Sequence, residues 1–357
     1  MKAWMLHGIG DLRYEDTEMP ELREGEVLVA VKATGVCGSD IARVFETGAH
    51  RMPLIPGHEF SGEVVRVGVG TDTAWQGKNV GVFPLIPCEE CIACKQKKYE
   101  MCRNYSYLGS RRDGGFAEYV AVPEWNLIPL PENVSFEAAA MLEPMAVAVH
   151  AMRRIAPKPE ETVLVCGLGT IGMLLALFLR DAGVADVLLV GNKKFQKETI
   201  ERLGFPAENY CDSTKQNVTE WVQNRTEGSG VSAFFECVGK SETVSLAVDC
   251  TAPGGSVCLV GNPYTDLHME KGVYWKILRN QLTITGTWNS SFAHDSEDDW
   301  HYVLNCLAEG RIVPEALISH KVPLERVGTC LKMMRDKTER YIKVMGVVET
   351  EKMGLLR

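Results

Sequence analysis

The chain has 357 residues, enough for two domains, because a single hydrophobic core stops growing at about 250–300 residues. Its hydrophobic content of 45% and charged content of 24% are ordinary for a soluble globular protein. The net charge of −9 argues against nucleic acid or an anionic membrane as the main partner.

The first ten residues lack the long apolar core of a signal peptide. The most apolar stretch, residues 163–179, is interrupted by three glycines and is too short to span a bilayer. We therefore expect a cytoplasmic protein without a membrane or nucleic-acid partner. In that compartment, twelve cysteines indicate metal binding or buried thiols rather than disulfides.

The first 150 residues predict short strands separated by Gly and Pro turns. Residues 26–32 alternate apolar and polar side chains in part, which is typical of a half-buried strand. Residues 63–67 and 117–122 are similar. The pattern predicts an antiparallel or barrel-like domain over residues 1–150.

Four dispersed residues of this domain form a candidate metal site: Cys37, His58, Glu59 and Glu143. One thiol, one imidazole and carboxylates suit a catalytic zinc that keeps an exchangeable position. Each residue also has a plainer explanation: Cys37 as a buried thiol, His58 as a hydrogen-bonded loop residue, and Glu143 as a surface charge. Spacing alone does not decide between these interpretations.

A compact group of cysteines gives a stronger signal, with the spacing C-x2-C-x2-C-x7-C over Cys88, Cys91, Cys94 and Cys102. Four thiolates this close in sequence can surround one tetrahedral Zn²⁺, and a site without an open position is structural. The alternatives are an iron–sulfur cluster and four unligated thiols. The cytosolic setting favours zinc.

The sequence pattern changes after residue 150. Residues 162–166 are a continuous apolar run, and a helical pattern follows over residues 170–182. Further buried strands are predicted at 187–190, 233–237 and 256–260, separated by helical stretches. Strands that alternate with helices predict a parallel, doubly wound sheet, here over residues 151–284.

A glycine turn, Gly167-Leu168-Gly169-Thr170-Ile171-Gly172, lies between the first strand and helix of this second domain. The first glycine allows the tight turn, the second lets a pyrophosphate approach the backbone, and the third lets helix and strand pack closely. The helix N-terminus then offers free N–H groups to the pyrophosphate. We predict a dinucleotide site that includes Val260 and Gly261 at the end of a later strand.

The end of the second strand lacks the usual carboxylate for the adenosine ribose. It continues as Gly191-Asn192-Lys193-Lys194. A carboxylate would repel a 2′-phosphate, whereas a small residue followed by lysines would accept one. We predict that Asn192 and Lys193 contact the cofactor, and that NADP is slightly favoured over NAD. The alternative is a solvated turn beside bound NAD.

Taken together, GVCGSD at 35–40, GHEFSG at 57–62, the four-cysteine lobe and the later nucleotide fold resemble the zinc-containing medium-chain dehydrogenase family. The resemblance covers essentially the whole chain. It implies an α/β protein in which a GroES-like, mostly β catalytic domain is interrupted by a Rossmann domain. The chain would return to the first domain over residues 285–357. It also implies a homodimer or homotetramer.

The resemblance implies roles for single residues. Cys37, His58 and Glu143 would bind a catalytic zinc, and Glu59 would ligate it or exchange with water. Asp40 would orient the zinc-bound imidazole, and Ser39 would accept the proton of the alcohol. Where many family members place a proton-relaying histidine, this chain has Ala42, so the relay must take another route.

A narrower resemblance links residues 48–50, 109–119 and 276–288 to the sugar-alcohol branch of the family, which includes enzymes of galactitol 1-phosphate. It implies hydride transfer from a secondary hydroxyl of a polyol or polyol phosphate to NAD(P), giving a ketose. His50, Arg111 and Trp288 are the substrate candidates, and at most one of Arg111 and Arg112 is expected to face the substrate. The alternatives are a dehydrogenase of butanediol or threonine type and a non-catalytic descendant of the fold.

Overall fold

The computed structural model describes residues 1–349. Its strands are β1 (Lys2–Gly8), β2 (Asp11–Asp16), β3 (Glu26–Val36), β4 (Glu59–Val67), β5 (Asn79–Val82), β6 (Leu85–Ile86), β7 (Ser106–Tyr107), β8 (Tyr119–Pro123), β9 (Leu127–Pro129), β10 (Thr162–Cys166), β11 (Asp186–Gly191), β12 (Tyr210–Asp212), β13 (Val231–Glu236), β14 (Thr251–Leu259), β15 (Thr283–Gly286), β16 (Ile318–Pro323) and β17 (Lys343–Val347).

The α-helices vary from single turns to about four turns in length. They are α1 (Gly38–Ala42), α2 (Ile92–Lys95), α3 (Phe136–Ala140), α4 (Leu142–Ile155), α5 (Thr170–Asp181), α6 (Lys194–Arg202), α7 (Val218–Arg225), α8 (Ser241–Cys250), α9 (Lys271–Asn280), α10 (Asp299–Ala308) and α11 (Val327–Asp336). None of the helices within residues 1–349 is long and apolar enough to cross a membrane.

The chain forms two compact units. Within the described residues, the first contains Met1–Glu143 and residues 291–349, and the second contains Pro144–Ser290. The first boundary lies seven residues before the predicted one, and the second lies six residues after it. The reason for the first shift is that α4 begins at Leu142, so the division falls in the first turn of a helix rather than at residue 150, where the sequence pattern changes.

The first unit is built on a seven-stranded sheet in the order β16-β17-β3-β4-β5-β9, with β8 also paired to β3. β17 pairs with the end of β3 and β8 with its beginning, so β3 has partners on both sides along its length. The expectation of a half-buried strand at 26–32 was wrong, because all but one residue of β3 are buried. Its valines belong to a core that α11 covers through Leu331.

The second unit contains a six-stranded sheet in the order β12-β11-β10-β13-β14-β15. All five pairings are parallel, which confirms the predicted doubly wound architecture. The order reverses between β10 and β13, and ligands of such sheets bind at the carboxyl ends of the strands beside this point. The buried thiols of Cys166, Cys211 and Cys250 belong to the apolar core.

Candidate functional site

The first candidate metal site begins where β3 ends. Cys37 follows the last residue of β3 and is the N-cap of α1. Its backbone N–H donates to Asp40 Oδ2 at 3.0 Å, so the carboxylate that closes the first turn also fixes the cysteine. Asp40 is completely buried and receives a second hydrogen bond from Arg43 Nη1 at 2.5 Å.

His58 lies against the same carboxylate. Its Nδ1 is 3.4 Å from Asp40 Oδ1, and both side chains are almost inaccessible to solvent. Burial lowers the pKa of His58, but the Asp40 carboxylate and Cys37 together outweigh this effect and hold the pKa well above its usual value. Because Nδ1 faces Asp40, Nε2 is the ring atom that remains to bind a metal.

Glu59 follows His58 and forms a buried ion pair with Lys343 of β17. Both residues are about 2% exposed, and 284 positions separate them in sequence. Gly35 makes this contact possible, because a Cβ at that position would lie 2.3 Å from Glu59 Oε2 and 2.9 Å from Lys343 Cε. The pair therefore requires glycine on β3.

Glu143 is held by a tyrosine. Tyr107 Oη donates to Glu143 Oε1 at 3.2 Å, and the Tyr107 ring lies 5.9 Å from the His58 ring. Burial and the Glu143 carboxylate raise the pKa of Tyr107 well above its usual value, so the phenol stays a donor. Burial, with an opposing effect of His58 and a further increase from Glu59, raises the pKa of Glu143 to about 7.

The donor set fits a divalent cation. Ligand atoms of Cys37, His58 and Glu59 all lie within 4.8 Å of one another, and Glu143 is coupled electrostatically to both His58 and Glu59. One sulfur, one imidazole and carboxylates are the ligands of catalytic zinc sites. A Zn²⁺ ion here would oppose the effect of burial, which is the main cause of the raised pKa of Glu143, and would favour the carboxylate.

The four cysteines form a second candidate metal site in the same unit. The Cys91 and Cys94 sulfurs are 3.5 Å apart, Cys91 and Cys102 are 3.9 Å apart, and Cys88 and Cys94 are 4.0 Å apart. Tetrahedral Zn–S bonds of about 2.3 Å place the sulfurs about 3.8 Å apart, which agrees with these distances. A cluster of several irons would separate the thiolates further, so the spacing fits a single ion.

The thiols of this lobe have different pKa values: those of Cys88 and Cys91 are lowered, whereas burial raises that of Cys102 and raises that of Cys94 to about 12. Backbone N–H groups of Cys94 and Arg103 lower the pKa of Cys91 to about 6, so that its thiolate is available at neutral pH. The Cys88 N–H points at Cys102 Sγ at 3.3 Å, an arrangement that also stabilises a thiolate. All twelve cysteines of the chain are free.

The glycine turn of the second unit has the geometry that a dinucleotide site requires. Gly167 has a φ of +101°, and a Cβ on Gly172 would lie 2.0 Å from the Gly167 carbonyl. Gly169 is the N-cap of α5, and a Cβ there would face open space. Thr170 and Ile171 begin the helix. The turn can therefore present backbone N–H groups to a pyrophosphate.

The other predicted cofactor residues lie at the same carboxyl edge of the sheet. Asn192 and Lys193 follow β11 and are exposed. Val260 and Gly261 follow β14, and both donate their backbone N–H groups to the Glu236 carbonyl at 2.8 Å. The buried Glu236 carboxylate, which sequence reasoning missed, accepts backbone N–H groups of the loop after β13 at 2.8–3.1 Å.

Comparison with known proteins gives two family models and close full-length relatives. The alcohol dehydrogenase GroES-like domain matches residues 23–132, and the zinc-binding dehydrogenase domain matches residues 170–309. Galactitol 1-phosphate 5-dehydrogenase of Escherichia coli K12 is 33% identical over 326 residues, covering 91% of this chain and 94% of the relative. The crystal structure of galactitol-1-phosphate dehydrogenase from E. coli is 32% identical, with a TM-score of 0.89 over 97% of this chain and 100% of that one.

This chain belongs to the zinc-binding medium-chain dehydrogenase family. It is an NAD(P)-dependent alcohol or polyol dehydrogenase, as predicted. Two further solved structures bind different cofactors. One, from Sinorhizobium meliloti 1021, is bound to NADP (27% identity, TM-score 0.88, 97% of this chain and 98% of that one). The other, from E. coli CFT073, is in complex with NADH (26% identity, TM-score 0.88, 97% and 99%).

In this dehydrogenase, Arg111 is the substrate candidate that a series of aromatic contacts connects to the first metal site. Its guanidinium stacks on Tyr105 at 4.6 Å, Tyr105 contacts Tyr107 at 6.1 Å, and Tyr107 contacts His58. Its Nε is buried and has no hydrogen-bond partner among the described residues. Arg112 instead forms an ion pair with the buried Glu26, which is a structural role.

The remaining candidates are exposed. His50 lies in a loop whose backbone bonds to Ser110 at 3.4 Å, so it is adjacent to the loop of Arg111. Ser39 is in α1, two residues after Cys37, and its side chain is exposed. Trp288 belongs to the second unit and is 59% exposed. Tyr107 and Lys343 contact the candidate ligands from distant parts of the chain, and neither was predicted from the sequence.

Asp40→Asn is expected to weaken zinc binding by about 10–100-fold, because the amide no longer attracts the imidazole of His58 as a carboxylate does. Asparagine keeps the shape of the side chain, so the fold should persist. Zinc affinity would be measured by competition with a chromogenic chelator, with Asp72→Asn, an exposed cap in the same unit, as the control. Unchanged zinc affinity in Asp40→Asn would contradict this role.

Proposed function

We propose that the chain oxidises a secondary hydroxyl of a sugar alcohol or sugar-alcohol phosphate to the ketose, with galactitol 1-phosphate as the best candidate. The observation that carries the proposal is the cluster of Cys37, His58 and Glu59, with Glu143 beside it. A catalytic zinc held by these residues would stabilise negative charge on the substrate oxygen. A second, structural zinc is proposed for the four-cysteine lobe.

The protein residues would contribute orientation and proton transfer. Asp40 would hold the imidazole of His58 in one tautomer, and Tyr107 would hold Glu143 through its hydroxyl. Ser39 Oγ would accept the proton of the alcohol from its exposed position in α1. NADP is proposed as the slightly preferred hydride acceptor, because the end of β11 has no carboxylate and Lys193 is exposed. A homodimer or homotetramer remains a prediction.

A substrate phosphate is proposed to bind Arg111. The buried Nε without a partner is the polar group that a phosphate oxygen would satisfy, and a guanidinium suits phosphate geometry. Tyr105 stacks on the guanidinium and restricts its direction. His50, on the neighbouring loop, would provide a second contact.

Arg111→Ala is expected to lower kcat/KM for a hexitol phosphate by about 10–100-fold, which corresponds to one lost hydrogen bond to a charged group. The unphosphorylated hexitol should be affected much less. Steady-state kinetics with both substrates measure the difference, and Arg66→Ala, on an exposed part of β4, is the control. An equal loss for both substrates would contradict the phosphate contact.

The function itself is tested by a screen for nicotinamide reduction that crosses NAD⁺ and NADP⁺ with sugar alcohols, their phosphates and short secondary alcohols. Each reaction is repeated after treatment with a zinc chelator. Turnover of a hexitol phosphate that the chelator abolishes would support the proposal. Turnover of butanediol or threonine alone would keep the zinc chemistry and overturn the polyol assignment. Metal analysis should find two zinc ions per subunit.

A further inference from the structure

One buried side chain in the second unit connects two loops of the dinucleotide site. Gln196, in the first turn of α6, is 7% exposed. Its Oε1 accepts the backbone N–H groups of Asn192 and Lys193, each at 3.1 Å. Its Nε2 donates to the Leu168 carbonyl in the glycine turn at 2.8 Å.

We propose that Gln196 is a positioning residue of the cofactor site: it fixes the loop after β11 against the glycine turn and thereby sets the preference for the group on the adenosine 2′ position. The inference rests on the proposed function, which requires a bound dinucleotide. In such a fold the glycine turn binds the pyrophosphate, and the end of the second strand of the sheet, here β11, binds the adenosine ribose. One carboxamide therefore couples the two halves of the adenosine site.

The hydrogen bonds of Gln196 determine which groups remain for the ribose. The backbone N–H groups of Asn192 and Lys193 are used by Oε1, so they are not offered to a 2′-phosphate. The side chains of Asn192 and Lys193 are exposed and can provide the contacts. The ammonium nitrogen of Lys193 lies 5.6 Å from the centre of the Phe195 ring, which holds this side chain near the loop. The Lys193 carbonyl accepts a hydrogen bond from Tyr210 Oη at 3.3 Å.

Gly191 explains why the carboxylate of many dinucleotide sites is missing here. A Cβ at Gly191 would lie 2.9 Å from Gln196 Oε1 and 3.0 Å from the Tyr210 ring. A side chain at the end of β11 would therefore require the inward carboxamide of Gln196 or the Tyr210 ring to shift. The carboxamide that connects the loops thus crowds the place of an aspartate side chain, and position 191 carries no negative charge.

Two variants separate the connecting role from the 2′ preference. Gln196→Leu removes all three hydrogen bonds, and we expect the Kd values of NADH and NADPH both to rise by at least about tenfold, since one lost buried hydrogen bond already has an effect of about this size. Gln196→Glu keeps an acceptor for both backbone N–H groups but places a negative charge beside the ribose. It should raise the Kd of NADPH at least about tenfold more than that of NADH.

The experiment is a fluorescence titration of the zinc-loaded enzyme with NADH and with NADPH, without an alcohol. Gln223→Glu, the same charge change on the exposed face of α7, is the control. A change in the NADPH-to-NADH ratio of Kd values that is specific to Gln196→Glu supports the proposal, since a merely structural role would leave that ratio unchanged. Melting temperatures show whether each variant is folded. If Gln196→Leu does not fold, the ratio of Kd values in Gln196→Glu still tests the proposal.

Several outcomes would overturn the inference. Wild-type affinity of Gln196→Leu for both dinucleotides would remove the connecting role. A ratio in Gln196→Glu equal to that in Gln223→Glu, or a wild-type enzyme that binds NADH alone, would remove the 2′ preference. A wild-type protein that binds neither dinucleotide would contradict the proposed function itself, which distinguishes that failure from the others.

Discussion

Cys37→Ser is expected to abolish alcohol oxidation while the protein stays folded. A serine hydroxyl is not a thiolate ligand, so the proposed catalytic zinc would lose the only sulfur donor among Cys37, His58 and Glu59. The Lewis-acid contribution of zinc is several kcal/mol, and each 1.4 kcal/mol is about tenfold in rate, so kcat/KM should fall by about 1,000-fold or more. Cys37 caps only the five-residue α1, which limits the effect on stability.

The matched variant is Cys91→Ser, which makes the same replacement of sulfur by oxygen in the four-cysteine lobe. Here the expected loss is stability, because a structural zinc contributes directly to the folding energy of its lobe. Steady-state kinetics, zinc content and melting temperature are measured for both variants. Full activity in Cys37→Ser would contradict the catalytic zinc assignment, and an unchanged melting temperature in Cys91→Ser would contradict the structural one.

The four-cysteine lobe and the glycine turn could be predicted from the sequence, because the residues of each lie close together in the chain. The four cysteines lie within fifteen positions, so their spacing alone limits the sulfurs to one small volume. The glycine turn is equally local, because its geometry depends on neighbouring backbone atoms: Gly167 needs a positive φ, and Gly172 packs on the Gly167 carbonyl. The parallel sheet followed from alternating strands and helices, and the structure confirms it.

What could not be predicted depends on contacts between distant residues. Nothing near Glu59 in sequence indicates that Lys343 will lie beside it, since the pairing requires β17 to join β3. Arg111 and Arg112 are neighbours with the same side chain, yet one stacks on Tyr105 and the other pairs with Glu26. In the sequence, Gln196 resembles any polar residue of an exposed helix. Only the folded structure shows its hydrogen bonds to the loop after β11 and to the glycine turn.

Lys343→Met is expected to cause the largest loss of stability, about 3–5 kcal/mol, because it leaves the Glu59 carboxylate buried without its cation. Both side chains are about 2% exposed, so water cannot replace the lysine. The free energy of unfolding would be measured by urea denaturation after zinc removal. Lys321→Met is the matched control: this lysine of β16 also pairs with a glutamate, but it is 57% exposed, and about 1 kcal/mol or less is expected.

The dependence of this loss on zinc tests the relation between the ion pair and the metal site. A Zn²⁺ ion held by Cys37 and His58 would lie close to Glu59 and would compensate its charge in place of Lys343. The destabilisation by Lys343→Met should therefore be smaller in the zinc-loaded protein than after chelation. Adding Glu59→Gln should recover much of the loss in the zinc-free protein, because it removes the uncompensated charge. An equal loss with and without zinc would mean that the metal does not reach Glu59, and its role as a ligand would be withdrawn.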